Sequence, residues 1–286
     1  MPDRAITPSG QRSRLASVTR VLIANPAVIF AISYLVVLVV AGSLNLRFDP
    51  MKPNPANILR PPDTVHWFGT DGDGFDVFSR TIAAARRDLP LAIVGTLLSL
   101  VIGSVLGLIA SSRGRGSELM MRGLDVFQAF PLVILAVALV SLAGNRLENV
   151  VIAIVVINVP RFMRIVRAET LSVRESRFVE AARAIGASPR RVMFRHMLPN
   201  VMDVIVAQAS LAVAYAIVVI AALGFLGVGV SPPEPTWGLM IQAGARQMTT
   251  GQWWVVAFPG LAVLTAVASF NLIADAQLRH VENSSH

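Results

Sequence analysis

The chain contains no cysteine, which excludes a disulfide scaffold, a thiolate metal centre and a thiol nucleophile, and says nothing about compartment. It is also almost without lysine: of 25 basic residues, Lys52 alone is not arginine. A P-loop needs a lysine directly after its second glycine to reach the β and γ phosphates, and Lys52 stands instead in Met51-Lys52-Pro53. The chain is therefore no P-loop ATPase by itself. Charge is scarce as well, at 15% of 286 residues, against about 25% in a soluble domain. In its place are 54% hydrophobic residues and a mean hydropathy of +0.63. A soluble globule cannot be covered from that composition, which is that of a polytopic membrane protein with a net charge of +8.

A helix needs about 20 apolar residues to cross a hydrocarbon layer roughly 30 Å thick, and a charge at its centre costs about 2.5–3.5 kcal/mol. Uncharged intervals run over 21–46, 89–112, 126–145, 149–160, 204–233 and 247–274. The fourth is short and becomes adequate when Arg161 and Arg164 lie at the inner boundary and snorkel to the headgroups. Six spans put both termini on one side. Placing them in the cytoplasm leaves 17 basic residues inside and 8 outside, as the positive-inside rule requires. Six of the outer ones lie in the long first loop, matched by Asp49, Asp63, Asp71, Asp73, Asp76 and Asp88. A cleaved signal peptide is the rival reading of residues 4–41, but the apolar run exceeds the roughly 7–15 residues of a signal core.

Asn54-Pro55, Pro61-Pro62 and Asp71-Gly72-Asp73-Gly74 mark the first loop as turns rather than a packed domain, and Ser231-Pro232-Pro233 with Pro235 stops the fifth span. Trp237, Trp253 and Trp254 flank the last external loop and read as interfacial anchors. There is no internal repeat. The expected fold is an all-α polytopic membrane protein, with a cytoplasmic tail over 1–20, a six-span domain over 21–280 and a C-terminal tail over 281–286.

Chemistry is missing from the spans. His66, His196, His280 and His286 all fall outside them, and no HExxH or GxSxG pattern occurs, so no catalytic residue, metal ligand or cofactor site is expected. An ion-coupled transporter usually carries a charge within its bundle. Here Asp125, Asp203 and Asp275 sit at span ends instead. If the chain transports, something outside it supplies the energy.

The informative stretch is 174–200. Residues 175–185 are good helix formers, with Phe178, Ala181, Ala182 and Ile185 at i, i+3, i+4 and i+7 forming an apolar stripe. Gly186 follows as a helix C-cap, and Ser188-Pro189 offers an N-cap and first residue for a second short helix before Pro199. Arg183, Arg190, Arg191 and Arg195 can pair with acids or lipid phosphates, so the stretch reads either as a docking surface or as a basic loop on anionic headgroups.

Glu180-Ala181-Ala182, then Gly186, then Leu198-Pro199 resembles the EAA loop of ABC importer permeases, and other residues resemble the dipeptide/oligopeptide (nickel) branch, second (C-type) permease subunit. These are Phe68-Gly69-Thr70-Asp71 with Asp76 and Ser79-Arg80, Phe130-Pro131, the run Arg195 to Asn200, Phe225-Leu226-Gly227 with Pro232-Pro233 and Trp237-Gly238, Phe258-Pro259-Gly260, and Phe270-Asn271-Leu272 with Asp275. The resemblance covers about residues 20–280. It departs at Phe75, where the family usually has arginine, and at Ala274, where glycine is common.

The resemblance implies an ABC importer type I permease fold in the bacterial cytoplasmic membrane and a transport subunit without its own ATPase. It implies as partners a second permease, one or two cytoplasmic ATPases carrying ATP and Mg, an extracytoplasmic substrate-binding protein and membrane lipid, with no nucleic acid. Glu180, Ala181, Ala182 and Gly186 would form the coupling contact and bend, Arg183 and Arg190 its rim, and Leu198-Pro199 its close. A bulky residue at Ala182, or any side chain at Gly186, is expected to uncouple hydrolysis from uptake. Gln208, Ser210 and Tyr215 in span five are candidates for the translocation pathway and equally for hydrogen bonding between helices. Asp71, Asp73, Asp76 and Glu234 would face the binding protein or keep a turn-rich loop soluble. A self-contained channel or facilitator is the alternative class, and it has no use for a cytoplasmic docking helix. Dipeptides, longer peptides, nickel chelates, glutathione and haem all remain open as cargo.

Overall fold

A computed structural model describes residues 25–44, 46–112, 114–188 and 191–285. The expected tail over 1–20, the start of the first interval and Arg190 lie outside the described residues, as do the side chains of Arg183, Arg195 and His196. Among the described residues the chain is helical, without a strand beyond one isolated bridge between Thr70 and Asp76.

Helix α1, Pro26–Ala41, starts where the Asn25 side chain accepts from the Ala27 N–H and Pro26 fills a position whose N–H needs no partner. Helix α2, Val77–Ala110, is capped by Asp76, whose Oδ1 accepts from the Ser79 N–H at 2.7 Å. Then come α3, Arg115–Gln128, and α4, Leu132–Ala143, which meet at 85°. The break falls at Phe130-Pro131, because a proline leaves the residue before it outside the helical region. The break thus falls near the start of the third apolar interval, which holds α4 and only the last residues of α3. Helix α5, Leu147–Arg174, runs through Pro160, so the short fourth interval belongs to a 28-residue helix. Helix α6, Arg177–Ala184, precedes a π-helical turn over Val192–Met197 that runs straight into α7, Leu198–Phe225. Helix α8, Trp237–Ala245, and helix α9, Trp254–Ser285, complete the fold.

Among the described residues four helices are long and apolar enough to cross a membrane, five if the bent pair counts as one span; α1 is apolar but has 16 residues. The shared core draws Val28 from α1, Leu89 from α2, Ile154 from α5, Ile217 from α7 and Ala266 from α9. At its densest seam, glycines of α2 let α5 approach. A Cβ on Gly95 would lie 2.7 Å from Ile154, one on Gly103 2.6 Å from Phe162, and one on Gly107 2.7 Å from the Met163 carbonyl. Where lipid is as apolar as the side chains, such close packing rather than hydrophobicity holds helices together.

Two of the three tryptophans expected at the membrane interface are structural bolts instead. Trp237 is 0% exposed: its indole N–H donates to the Thr81 carbonyl and its backbone N–H to Asp88 Oδ2, both at 2.9 Å. Trp254 is buried and donates to the Thr70 carbonyl at 3.1 Å. Trp253 alone of the three stays exposed. Their N–H groups found buried carbonyls, which outweighs the interfacial preference of an indole.

Candidate functional site

The stretch between α5 and α7 is built on the predicted bend. Gly186 takes φ +84°, and the Ala187 N–H reaches back to the Ala182 carbonyl at 3.0 Å. That six-to-one bond across a left-handed glycine is a Schellman motif, and it stops α6 after Ala184. Ser188 then caps the next turn, its Oγ accepting from the Arg191 N–H at 3.4 Å. The expected second short helix is not separate. Residues 192–197 form the π turn, with the Leu198 N–H bonded to the Met193 carbonyl, and the chain continues into α7. Pro199 lacks the N–H that would serve the carbonyl four residues back, and a widened turn just before it absorbs that defect.

The stripe also differs from expectation. Val179 and Ala182 are buried against Val192 and Met197, while Glu180, Ala181 and Gly186 are exposed and Ile185 is 86% exposed. Sequence spacing placed Ala182 and Ala181 on one face; the missed residue is Val179, which at i and i+3 with Ala182 sets the inward face. Ala182 therefore seats α6 on its own chain. Leu198 packs at the edge of a cluster of Leu108, Val166, Val201 and Ile205. The base of this segment is fixed to α2, because Arg167 Nε donates to the Ala110 carbonyl at 2.9 Å and an Arg174 amine to the Ser111 carbonyl at 3.1 Å. Cations at the C-terminal carbonyls of a helix also meet the negative end of its dipole.

A cavity of about 300 Å³ opens beside the middle of α5. Arg161 and Arg164, expected to snorkel at the membrane boundary, line this cavity. Arg164 is held by Asp125 at 2.7 Å and by Gln128 at 2.5 Å, both from α3, while Arg161 donates to Gln208 Oε1 at 3.2 Å. Of the three pathway candidates, Tyr215 lines the cavity and Gln208 borders it through Arg161. Ser210 turns away and donates to Gln277 of α9 at 2.9 Å, a bond between helices. Asn158 also lines the cavity, and sequence reasoning missed it; its signal was an amide set deep in the fourth apolar interval, away from Asn149 at its start.

Residues 46–76 are the expected run of turns, largely exposed over 51–65 but tied down and mostly buried over 66–76. The Thr70 hydroxyl donates to the Asn57 carbonyl and accepts from the Arg60 N–H, and buried His66 lies 2.8 Å from Asp76 and stacks on Phe48. Phe68 stacks on Phe258 of α9 with ring centroids 3.9 Å apart. Three of the four acids considered for a partner serve this chain itself. Asp76 caps α2, Asp71 accepts from the Asp73 and Phe75 N–H groups, and Glu234 pairs with Arg87 at 2.5 Å. Burial pushes the Asp71 carboxyl up from its usual range, against those N–H groups and the Arg80 charge. The backbone N–H of His66, followed by that of Val65, holds the Asp63 carboxyl down. At the departure from the expected pattern, Phe75 sits under the Arg80 guanidinium, 4.0 Å from its ring centroid.

Comparison with known proteins places these features. Residues 89–284 match the profile of the family described as binding-protein-dependent transport system inner membrane component. The dipeptide transport system permease protein DppC of Alkalihalophilus pseudofirmus is 42% identical over 225 residues, 78% of this chain and 74% of that protein. The di/tripeptide transport system permease protein DppC of Pseudomonas aeruginosa is 40% identical, covering 80% of this chain and 77% of that one. The glutathione transport system permease protein GsiD of Pectobacterium atrosepticum is 38% identical over 75% and 71%. In fold, the chain is similar to a chain of the MetNI methionine ABC transporter in an inward-facing conformation. The TM-score is 0.61 at 18% identity, over 71% of this chain and 96% of that one.

Proposed function

The chain belongs to the family of binding-protein-dependent transport system inner membrane components, and from that premise we propose that it is the transmembrane permease subunit of an ATP-driven ABC importer of dipeptides and oligopeptides. It forms half of a translocation pathway whose other half is a second, similar permease. In this reading α1, α2, the bent pair α3–α4, α5, α7 and α9 are six spans, with both termini in the cytoplasm of a bacterium and the domain seated in its inner membrane. The chain carries no cofactor of its own; ATP and Mg belong to one or two ATPase subunits beneath it, and a substrate-binding protein delivers cargo from outside.

The observation that carries the reading is α6. Val179 and Ala182 seat it on its own chain, yet Glu180, Ala181 and Ile185 remain uncovered. An exposed isoleucine in the turn that ends a short helix, near an acid and a glycine bend, suits insertion into a groove of a partner. Glu180 and Ala181 would make that contact, Gly186 would set its angle, and Arg183 and Arg190 would meet the rim. Relatives named for dipeptide, di/tripeptide and glutathione transport support peptide cargo.

The test is gentle purification of the tagged native assembly, identification of its members by mass spectrometry, and assay of its ATPase and of peptide uptake. The expected result is a second permease with one or two nucleotide-binding subunits, active in the parent and uncoupled in Gly186→Val. Recovery of this chain alone, as a stable oligomer without ATPase, would overturn the reading in favour of a channel.

A further inference from the structure

The cavity beside α5 carries a feature that the coupling role does not use. Arg164 is already neutralised, with Asp125 at 2.7 Å. Arg161 has no carboxylate within 4.0 Å among the described residues, and its one bond is to the neutral amide oxygen of Gln208. Among the described residues one positive charge is therefore left over at the cavity wall. Next to it, Asn158 is 2% exposed and makes no side-chain hydrogen bond among the described residues. Its amide stands at the cavity wall as a donor and acceptor available to water or a ligand. Tyr215 lines the same space, together with the apolar side chains of Leu132, Ile157 and Ile165.

We propose that this cavity is a station for the carboxylate end of the cargo, with Arg161 as the ion-pairing residue, Asn158 as its hydrogen-bonding neighbour and the apolar wall as the seat of an adjoining side chain. The inference rests on the peptide-import reading and names the end of the peptide that the permease itself recognises. A guanidinium offers two parallel N–H donors matched to a carboxylate, and Gln208 steadies it by occupying Nη2 alone. Inorganic phosphate or sulfate would engage the arginine but leave the apolar wall unused. A volume of about 300 Å³ stands at the small end of ligand sites, which suits one terminal residue or a dipeptide better than a long chain. The cavity is open on one flank, where the second permease would close it.

The experiment measures equilibrium binding of radiolabelled alanyl-alanine to the purified permease and ATPase assembly without the soluble binding protein. Unlabelled alanyl-alanine and its C-terminal amide serve as competitors. The parent and Arg246→Gln, which removes an exposed arginine elsewhere, are expected to bind the free acid, with the amide at least about tenfold weaker as competitor. Arg161→Gln should lose about tenfold or more in affinity, and Arg161→Lys should fall between, keeping the charge but not the fork. Equal competition by acid and amide, unaltered binding in Arg161→Gln, or no binding by the parent would each overturn the station. The acid-against-amide comparison in the parent decides the matter even if a variant fails to assemble. Uptake by parent proteoliposomes supplied with the binding protein separates the two levels. No ATP-driven peptide uptake would sink the function itself, whereas normal uptake with indifferent binding would sink the station alone.

Discussion

Replacing Gly186 isolates what the bend contributes, because the structure separates its two possible costs. A Cβ at this position would meet nothing within 4 Å, so no neighbour must move. What remains is the backbone: at φ +84° a side chain costs about 1–2 kcal/mol, least for asparagine and most for a β-branched residue. The eight residues of α6 are too few to hold a helix by themselves. The helix is seated by the side chains of Val179 and Ala182, and burying a valine is worth about 1.5–3 kcal/mol. The strain is therefore of the same size as what holds α6 in place, while it is small beside the packing of the helix core. Gly186→Val is expected to unseat α6 and leave the rest of the fold standing. The variants should rank Gly, Asn, Ala, Val in uptake per ATP hydrolysed, measured in proteoliposomes at matched protein content. Size alone would place alanine ahead of asparagine. Alanine outperforming asparagine would refute the conformational account and point to a steric limit in the partner's groove, and full uptake by valine would refute the role of the bend altogether.

Other positions give independent checks. Trp237→Phe removes the indole donor to the Thr81 carbonyl at 2.9 Å and should cost about 1–3 kcal/mol, seen as a lower midpoint in thermal unfolding of the purified assembly. Gly103→Val drives a side chain into Phe162 and the Val159 carbonyl and should cost about 1–3 kcal/mol. Gly123→Ala on α3, whose Cβ meets nothing within 4 Å, should gain up to about 1 kcal/mol from helix propensity in the same measurement. Because burial raises the Asp71 carboxyl, its contribution is fullest below the unfolded value and is lost as pH rises through the folded one. Asp71→Asn keeps the acceptor for the Asp73 and Phe75 N–H groups and should flatten that pH dependence in hydrogen exchange of residues 54–76. An unchanged slope would count against the assignment.

The apolar helices were legible in the sequence because a charge-free interval has one physical meaning in a chain so poor in charge, and the bend at Gly186 was legible because a glycine after a helical run has few other uses. Four features were not. The break between α3 and α4 was hidden in an unbroken apolar interval, where Phe130-Pro131 was noted only for its resemblance. The inward face of α6 was misassigned because alanines at 181 and 182 read alike, and only tertiary packing against Val192 and Met197 tells them apart. Asn158, Arg161 and Tyr215 lie on two different helices and meet only in space. Local spacing has no access to such a convergence. The anchoring of the first loop over 66–76 escaped notice for a similar reason. Its acids satisfy backbone N–H groups and a helix start, whereas charge counting offered only a contact with the binding protein or solubility.

The seam between α2 and α5 also limits how such a sequence can drift. Gly95, Ser99, Gly103 and Gly107 follow one another at every fourth residue, and all four are buried or held at the seam. Deleting one residue among them would turn the rest of α2 by about 100° and swing flank residues such as Ile102 or Val105, now half exposed, toward α5. The outward letters of α2 can be exchanged for other apolar ones with little consequence, but its length between Gly95 and Gly107 cannot change. Among descendants of this chain, that stretch is where alignment gaps should be absent.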